Sequence, residues 1–188
     1  FSEKSENALA TAIRLAEKYK SSLTVLHVFE RALDSEILKY IVFPKDIEAK
    51  LKAKIDSELK RLHPAENSMV KIETIVKKGK ATVEILLVAE KEKADLIVMG
   101  TQGKTGLQHL ILGSVAEKVI RKTASPVLIQ RGKSQNFKKV LVPIDFSHHA
   151  EEALHQAAQY AEDFNAELHL LHVVDLRDLY TFDVLSIP

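Results

Sequence analysis

Apolar residues along the chain follow two alternating patterns, one with the spacing of an amphipathic helix and one of short continuous runs typical of buried strands. The helical spacing predicts helices after Ser2 and Ser147 and over Ile47–Leu62, Thr82–Lys93 and Ser114–Lys122. The short runs predict strands at Leu23–Phe29, Val70–Val76, Asp95–Met99, Pro126–Gln130, Lys139–Ile144 and Leu168–Val174. Strands that alternate with helices predict an α/β fold in which an open parallel sheet carries helices on both faces.

The chain contains an internal repeat at an offset of 145 positions. Residues 1–28 align with residues 146–173 without a gap and are identical at 12 of these 28 positions. Both copies begin with Phe-Ser and end with Leu-His-Val, and in each copy the serine, Ser2 or Ser147, is a predicted helix N-cap. A shared beginning and a shared end at one offset indicate a duplicated module rather than two unrelated helices.

The two copies differ in what precedes them. The second copy follows Lys139–Asp145, which has the pattern of a buried strand ending at an acid, whereas no such strand precedes the first copy in this sequence. We therefore predict that residues 1–131 form one module lacking its first strand and that residues 132–137 are a linker. Residues 138–188 are then the strand-helix-strand opening of a second module, and we expect a tandem protein shortened at both ends.

Composition excludes several classes of function. The 27 basic and 26 acidic residues nearly balance, so no global field indicates nucleic-acid binding. There is no cysteine, which excludes disulfides and thiol nucleophiles. No apolar run reaches the roughly 18 to 20 residues that a membrane span needs, and the first residues lack the pattern of a signal peptide. We expect a cytoplasmic protein that has neither a membrane nor a nucleic-acid partner.

The segment VMGTQGKTGLQHLILGSV joins a predicted buried strand to a predicted helix. It is not a P-loop of the G-x-x-x-x-G-K-[ST] type, because valine stands where the first glycine would be. Gly100, Gly103 and Gly113 allow backbone amides to approach an anion closely, and the helix that begins at Ser114 adds a partial positive charge. Since this segment follows the carboxyl end of a parallel strand, it predicts a phosphate-binding site.

Gly100 and Gly103, followed by nine residues and then Gly113-Ser114, resemble the nucleotide-binding signature of the universal stress protein family. The stretches ADLIVMGTQGKTGLQHLILGSVAEKVIRKTASPVLIQ and KKVLVPIDFSHHAEEALHQAAQYAEDFNAELHLLHVVD are also similar to that family. The resemblance implies a Rossmann-like five-stranded parallel sheet with strand order 3-2-1-4-5. It also implies binding of ATP, with or without Mg²⁺.

The resemblance further implies which residues contact the nucleotide. The glycine loop would hold the phosphates. An acid after the first strand and a backbone position at the end of the second strand would hold the adenine end. The matching residues are Val28, Met99, Gly100, Gly103, Gly113, Ser114, Val115 and Asp145. Because the glycines belong to the first copy and Asp145 to the second, neither copy holds the complete set.

The main functional hypothesis is a nucleotide-binding universal stress protein that acts as a binding or switch module. The sequence shows neither a Walker-type lysine nor a suitably spaced acidic pair for Mg²⁺, so it is at most a slow ATPase and no residue is assigned to catalysis. Two alternatives stay open. One is a scaffold or dimerisation module without nucleotide; the other, less favoured, is an adenine-nucleotide α-hydrolase-type enzyme, whose glycine-rich loop is absent from Val142–Ser147.

Two surfaces are candidates for association with a second copy. The edge strand Pro126–Gln130 is expected to form a homodimer, as the family resemblance implies. Strand Val140–Ile144 cannot easily fill the first-strand position of its own chain, because a six-residue linker spans at most about 20 Å whereas the return covers about 17–20 Å plus two steps of about 5 Å. We therefore expect either that this strand is donated to another chain or that it belongs to a separate half-module. The paired His148 and His149 are not expected to bind a metal.

Overall fold

The computed structural model describes residues 2–29, 46–62, 70–101, 112–132 and 137–174. The chain divides into two compact units, Phe1–Ser134 and Gln135–Pro188. In the first unit the elements are α1 (Glu3–Tyr19), β1 (Leu23–Phe29), α2 (Ile47–Leu62), β2 (Ile72–Lys78), α3 (Ala81–Lys91), β3 (Ile97–Gly100), α4 (Ser114–Lys122) and β4 (Val127–Gln130). In the second unit they are β5 (Lys139–Ile144), α5 (His148–Phe164) and β6 (Glu167–His172).

The predicted order of helices and strands is confirmed, with small differences in bounds. The largest is in β2, predicted at Val70–Val76 and found at Ile72–Lys78. Every residue of β1 has a partner in β2, from Leu23 with Ile72 to Phe29 with Lys78. The strand therefore extends through polar residues that an apolar pattern does not include, because backbone hydrogen bonds set its length.

The strands in the described part of the chain pair as three separate two-stranded parallel sheets, β1 with β2, β3 with β4, and β5 with β6. If the strands are numbered within a module, these are the pairs 2-3, 4-5 and 1-2. Each is a neighbouring pair of the order 3-2-1-4-5. The β3 residues Ile97–Gly100 are only half-buried, because β3 has one strand neighbour where the apolar pattern predicted a central strand.

Helix α1 begins at a local capping arrangement. The backbone N–H of Ser5 donates to the Ser2 hydroxyl at 3.3 Å, and the Ser2 N–H donates to the Ser5 hydroxyl at 2.8 Å. These bonds satisfy amides that have no partner inside the helix. Beyond this cap, α1 packs against β3, β4 and β1. Its buried side chains cover a wide arc and are Ala8, Leu9, Thr11, Ala12, Ile13, Leu15 and Ala16.

The core of the first unit joins α1 to α2. Leu9 and Ile13 from α1 meet Ile55 and Leu59 from α2, and all four are buried. Side chains of β1 and β2 pack against this cluster: Leu23, Val25, Ile72 and Val76. Burial of each large aliphatic side chain contributes about 1.5–3 kcal/mol to folding. This cluster fixes α1 and α2 against the β1–β2 pair.

The second unit is a strand-helix-strand segment. Ser147 caps α5 by accepting a hydrogen bond from the Ala150 N–H at 3.2 Å. Helix α5 packs against β5 and β6. The buried hydrophobic residues in the described part of this unit are Val142 of β5 and Ala157 and Ala161 of α5. None of the described helices is long and apolar enough to cross a membrane.

Candidate functional site

The predicted phosphate loop connects β3 to α4. Met99 and Gly100 are the last residues of β3, and Gly113 and Ser114 stand at the start of α4. The Gly113 N–H donates to the carbonyl oxygen of Thr101 at 2.8 Å, so the two ends of the loop are hydrogen-bonded to each other. No pattern in the sequence indicates this hydrogen bond to the Thr101 carbonyl. The remaining glycine of the set, at position 103, lies outside the described residues.

The N-terminus of α4 differs from those of α1 and α5. Gly113 is its N-cap, in an extended conformation (φ −60°, ψ 145°), and provides no side chain for a capping hydrogen bond. The first intrahelical bond runs from the Glu117 N–H to the Gly113 carbonyl at 3.0 Å. Earlier N–H groups of the helix, around exposed Ser114 and half-buried Val115, carry the partial positive charge of the helix end. This end of α4 is therefore suited to an anion.

Gly100 has a packing role that the sequence did not indicate. A Cβ atom at this position would lie 2.9 Å from the Lys4 carbonyl oxygen and 3.1 Å from its carbon. The end of β3 and the first turn of α1 therefore approach each other more closely than a side chain permits. The two residues are far apart in sequence, so no local pattern could have predicted this contact.

Val28 is the second-last residue of β1, where it is half-buried and has Lys77 of β2 as its register partner. It therefore lies at the carboxyl end of a parallel strand, as predicted. Those candidate residues of the first unit that the structure describes are thus found at strand ends and at one helix start. Asp145 belongs to the second unit.

Asp145 stands in a tight turn between β5 and α5. Its Oδ1 atom accepts a hydrogen bond from the Ser147 N–H at 2.9 Å. Phe146, between them, has φ 63°, in the left-handed region that residues with a side chain rarely adopt. Hydrogen bonds from Ser147 lower the pKa of Asp145, with a smaller contribution from the charge of His172. The exposed carboxylate is therefore ionised at neutral pH and accessible to a ligand.

His172 closes the other side of this turn. Its Nδ1 atom lies 2.7 Å from the carbonyl oxygen of Ile144, and its ring centroid lies 4.7 Å from that of Phe146. Histidine recurs at the equivalent positions 27 and 172 of the two copies. In the second copy, the hydrogen bond to Ile144 gives His172 a structural role at the strand end.

Two further histidines of the second unit, His148 and His149, contact the same carboxylate. His148 Nε2 and His149 Nδ1 lie 3.4 Å and 3.5 Å from different oxygens of Glu152. All three side chains are largely exposed, and ion pairs of this kind contribute little. Across residues 2–29, 46–62, 70–101, 112–132 and 137–174, no three ligating side chains are grouped as a metal site.

These features define a class of protein: an α/β protein with parallel strand pairs, in which glycines stand at the end of β3 and at the start of α4. The sequence model of the universal stress protein family matches residues 1–131 and 136–187. Universal stress protein MJ0531 of Methanocaldococcus jannaschii is 37% identical over 134 residues, covering 68% of this chain and 75% of that relative. Universal stress protein YxiE of Bacillus subtilis is 34% identical over 137 residues, covering 69% of this chain and 93% of that relative. The chain belongs to the universal stress protein family.

Solved structures agree with this assignment. A universal stress protein from Archaeoglobus fulgidus matches with a TM-score of 0.71 and 28% identity, over 97% of this chain and 69% of that one. Protein MJ0577 matches with a TM-score of 0.53 and 29% identity, over 72% and 92%. A universal stress protein in complex with cAMP matches with a TM-score of 0.50 and 25% identity, over 69% and 89%. These likenesses confirm the Rossmann-like α/β fold predicted from the sequence.

Proposed function

We propose that this protein binds an adenine nucleotide, ATP with or without Mg²⁺, and acts as a cytoplasmic binding or switch module in a stress response. The observation that carries the proposal is the junction of β3 and α4. There the Gly113–Thr101 hydrogen bond closes a glycine-bearing loop in front of a helix end that Gly113 leaves without a side-chain cap. Such an arrangement of amides binds phosphate.

The adenine nucleotide is favoured over other anions by the family. A structurally similar member has been solved in complex with cAMP, which is itself an adenine nucleotide. In our proposal Gly100, Gly103, Gly113 and Ser114 surround the phosphates, and Met99 and Val115 lie beside them. Val28 and Asp145 hold the adenine end, where an ionised carboxylate accepts hydrogen bonds from N–H groups. Because no residue is assigned to catalysis, we propose a binding or switch role in preference to an enzymatic one.

The phosphate end can be tested without weakening the helix. We expect Ser114→Asp to raise the Kd for ATP by at least about tenfold, or about 1.4 kcal/mol, because a fixed negative charge then faces the phosphates. An acidic residue in the first turn favours the helix itself, so α4 remains folded. Isothermal titration calorimetry with ATP measures the change.

Two control variants isolate the charge at this position. Ser114→Ala removes the hydroxyl alone and should change the Kd by less than about threefold, a loss below 1 kcal/mol as for one neutral hydrogen bond. Ala81→Asp places the same charge at the first residue of α3, whose N-cap Lys80 also makes no side-chain capping bond. It should leave the Kd unchanged. Equal losses in Ser114→Asp and Ala81→Asp would contradict a phosphate site at α4.

We infer an organisation for the whole chain that goes with this function. Residues 1–131 form the first module, residues 132–137 the linker, and residues 138–188 the opening part of a second module. The glycine loop and Asp145 then belong to different modules. A site with both ends forms between two copies, when strand Val140–Ile144 of one copy enters the sheet of the other. The free edge of β4 joins the copies as a homodimer.

Complementation between two defective chains tests this composite site. Asp145→Ala and Ser114→Asp should each bind ATP weakly when pure. If the chains are mixed in equal amounts, unfolded and refolded together, half of the dimers contain both variants. One of the two sites in each mixed dimer then has an intact loop and an intact carboxylate, so about a quarter of the wild-type capacity returns. A mixture that binds no better than its components would contradict donation of the strand.

A further inference from the structure

The turn that carries Asp145 is built from residues that need external support. The left-handed conformation of Phe146, with φ 63°, turns the chain between the end of β5 and the start of α5. The Ser147 N–H donates a hydrogen bond to the Asp145 carboxylate across that turn. All of Asp145, Phe146 and Ser147 are exposed, so burial does not hold them in place. A disfavoured backbone conformation on the surface persists only if neighbouring contacts fix it.

One side chain provides contacts on both sides of Asp145. His172 reaches the Ile144 carbonyl oxygen, one residue before Asp145, through its Nδ1 atom at 2.7 Å. Its ring also packs against the ring of Phe146, one residue after Asp145, at 4.7 Å between centroids and 54° between planes. The parallel register places His172 opposite Ile144, so the backbone pairing of β5 and β6 brings the imidazole to the turn.

The hydrogen bond defines the form of the imidazole ring. A carbonyl oxygen can only accept, so the Nδ1 atom of His172 must carry the proton. In the neutral ring Nε2 is then without a proton. Among the contacts described, the Asp145 carboxylate accepts its hydrogen bond from Ser147 and not from the imidazole. His172 therefore acts on the turn through the Ile144 carbonyl and the Phe146 ring.

We propose that His172 is a positioning residue for the Asp145 carboxylate, holding the Ile144–Ser147 turn in the geometry that presents this group to the adenosine end of the nucleotide. The proposal rests on the nucleotide function proposed above. It extends the strand-end role of His172 to ligand binding. His172 affects the ligand through Asp145 and not through a contact between the imidazole and the ligand. Histidine also occurs at the equivalent position 27 of the first copy, in β1.

Three substitutions separate the two contacts of His172. His172→Phe keeps a ring for Phe146 but has no donor for the Ile144 carbonyl. His172→Asn keeps a donor near the position of Nδ1 but has no aromatic ring. His172→Ala removes both contacts. His169→Phe is the matched control, because His169 is another exposed histidine of β6 and its side chain contacts Glu167 at 3.2 Å instead.

Nuclear magnetic resonance on the full chain provides a measurement that does not depend on nucleotide. We expect the nitrogen shifts of neutral His172 to show the Nδ1-protonated ring. All three substitutions remove any charge of the imidazole, so the comparison is among them: we expect the pKa of Asp145 to rise further in His172→Phe and His172→Ala than in His172→Asn, with no change in His169→Phe. An Nε2-protonated ring, or the same Asp145 pKa in all three variants, would overturn the proposal.

Calorimetry with ATP adds the functional measurement. The Kd should rise about fivefold to tenfold in His172→Phe and His172→Ala, less in His172→Asn, and not at all in His169→Phe. Unchanged affinity in variants whose Asp145 pKa has risen would contradict the link to the ligand. If the wild-type chain does not bind ATP, the proposed function fails; the nitrogen shifts and the Asp145 pKa still decide whether His172 holds the turn.

Discussion

The two copies of the repeated segment have similar sequences but different surroundings. Ala12 and Ala16 of α1 and their equivalents Ala157 and Ala161 of α5 are buried in both units. Leu9, by contrast, is 7% exposed, whereas its identical counterpart Leu154 is only half-buried. The shared alanines allow close approach of a helix to its strands, which both units contain. Burial of the leucine depends on further elements that only the first unit provides.

Those further elements are α2 and β2, whose Ile72 and Val76 pack against the cluster that contains Leu9. In the first unit, Leu9 lies in a cluster with Ile13 of its own helix and with Ile55 and Leu59 of α2. In the second unit α5 packs against β5 and β6. Apolar side chains therefore stay accessible there, including Leu141 of β5, which is 60% exposed. The comparison teaches that a helical pattern predicts which residues can be buried, while the surrounding elements determine which ones are.

The largest effect that tests this comparison is removal of the repeated leucine. Leu9→Ala should lower the free energy of unfolding of the first unit by about 2–5 kcal/mol, because it opens a cavity in the core cluster. Leu154→Ala should lower that of the second unit by about 1 kcal/mol or less, since part of the side chain is already in contact with water. Denaturant unfolding of both variants gives the two values. Equal losses would show that the surroundings of the copies do not differ as described.

A smaller effect is expected from the close approach of β3 to α1, a contact found only in the first unit. Gly100→Ala should lower the free energy of unfolding by about 1–3 kcal/mol, because its Cβ atom would lie 2.9 Å from the Lys4 carbonyl oxygen. Gly132→Ala is the control, since a Cβ atom there meets nothing within 4 Å. The measurement is thermal unfolding of the two variants. A Gly100→Ala chain as stable as Gly132→Ala would refute the packing role.

The smallest effect concerns pH and the turn before α5. Because the folded chain lowers the pKa of Asp145 below its usual value of about 4, the charged carboxylate stabilises the second unit above that value. This contribution is lost as the pH falls through the lowered pKa. Asp145→Asn, which cannot titrate, should therefore show a weaker loss of stability in acid than the wild type. Identical acid profiles from unfolding curves would contradict the role of the Ser147 hydrogen bonds.

Much of the fold follows from local patterns. The N-caps Ser2 and Ser147, the bounds of α2 and α4, and the alternation of strands and helices were all predicted, because caps and apolar periodicity are properties of neighbouring residues. The shift of β2 by two residues was not predicted, since it depends on pairing with β1. The packing of Gly100 against Lys4 was also missed, because a contact between distant residues leaves no local signature.

The candidate site was predictable to a similar extent. Gly113 and Ser114 were assigned to a helix start by the helical spacing of the residues that follow, and they are found there. The hydrogen bond from Gly113 to Thr101 and the contacts of His172 with Ile144 and Phe146 were not predicted individually. They depend on how the ends of neighbouring strands and helices meet, which the spacing of residues along the chain does not specify.

The most direct test of the proposed nucleotide binding is to denature the purified protein and identify any released nucleotide by chromatography and mass spectrometry. The native mass of the same preparation is measured alongside. An empty preparation is then titrated with ATP. We predict that an adenine nucleotide is released from, or binds to, a dimer or larger species. A protein that carries no nucleotide and does not bind added ATP would contradict the proposed function and favour a scaffold module.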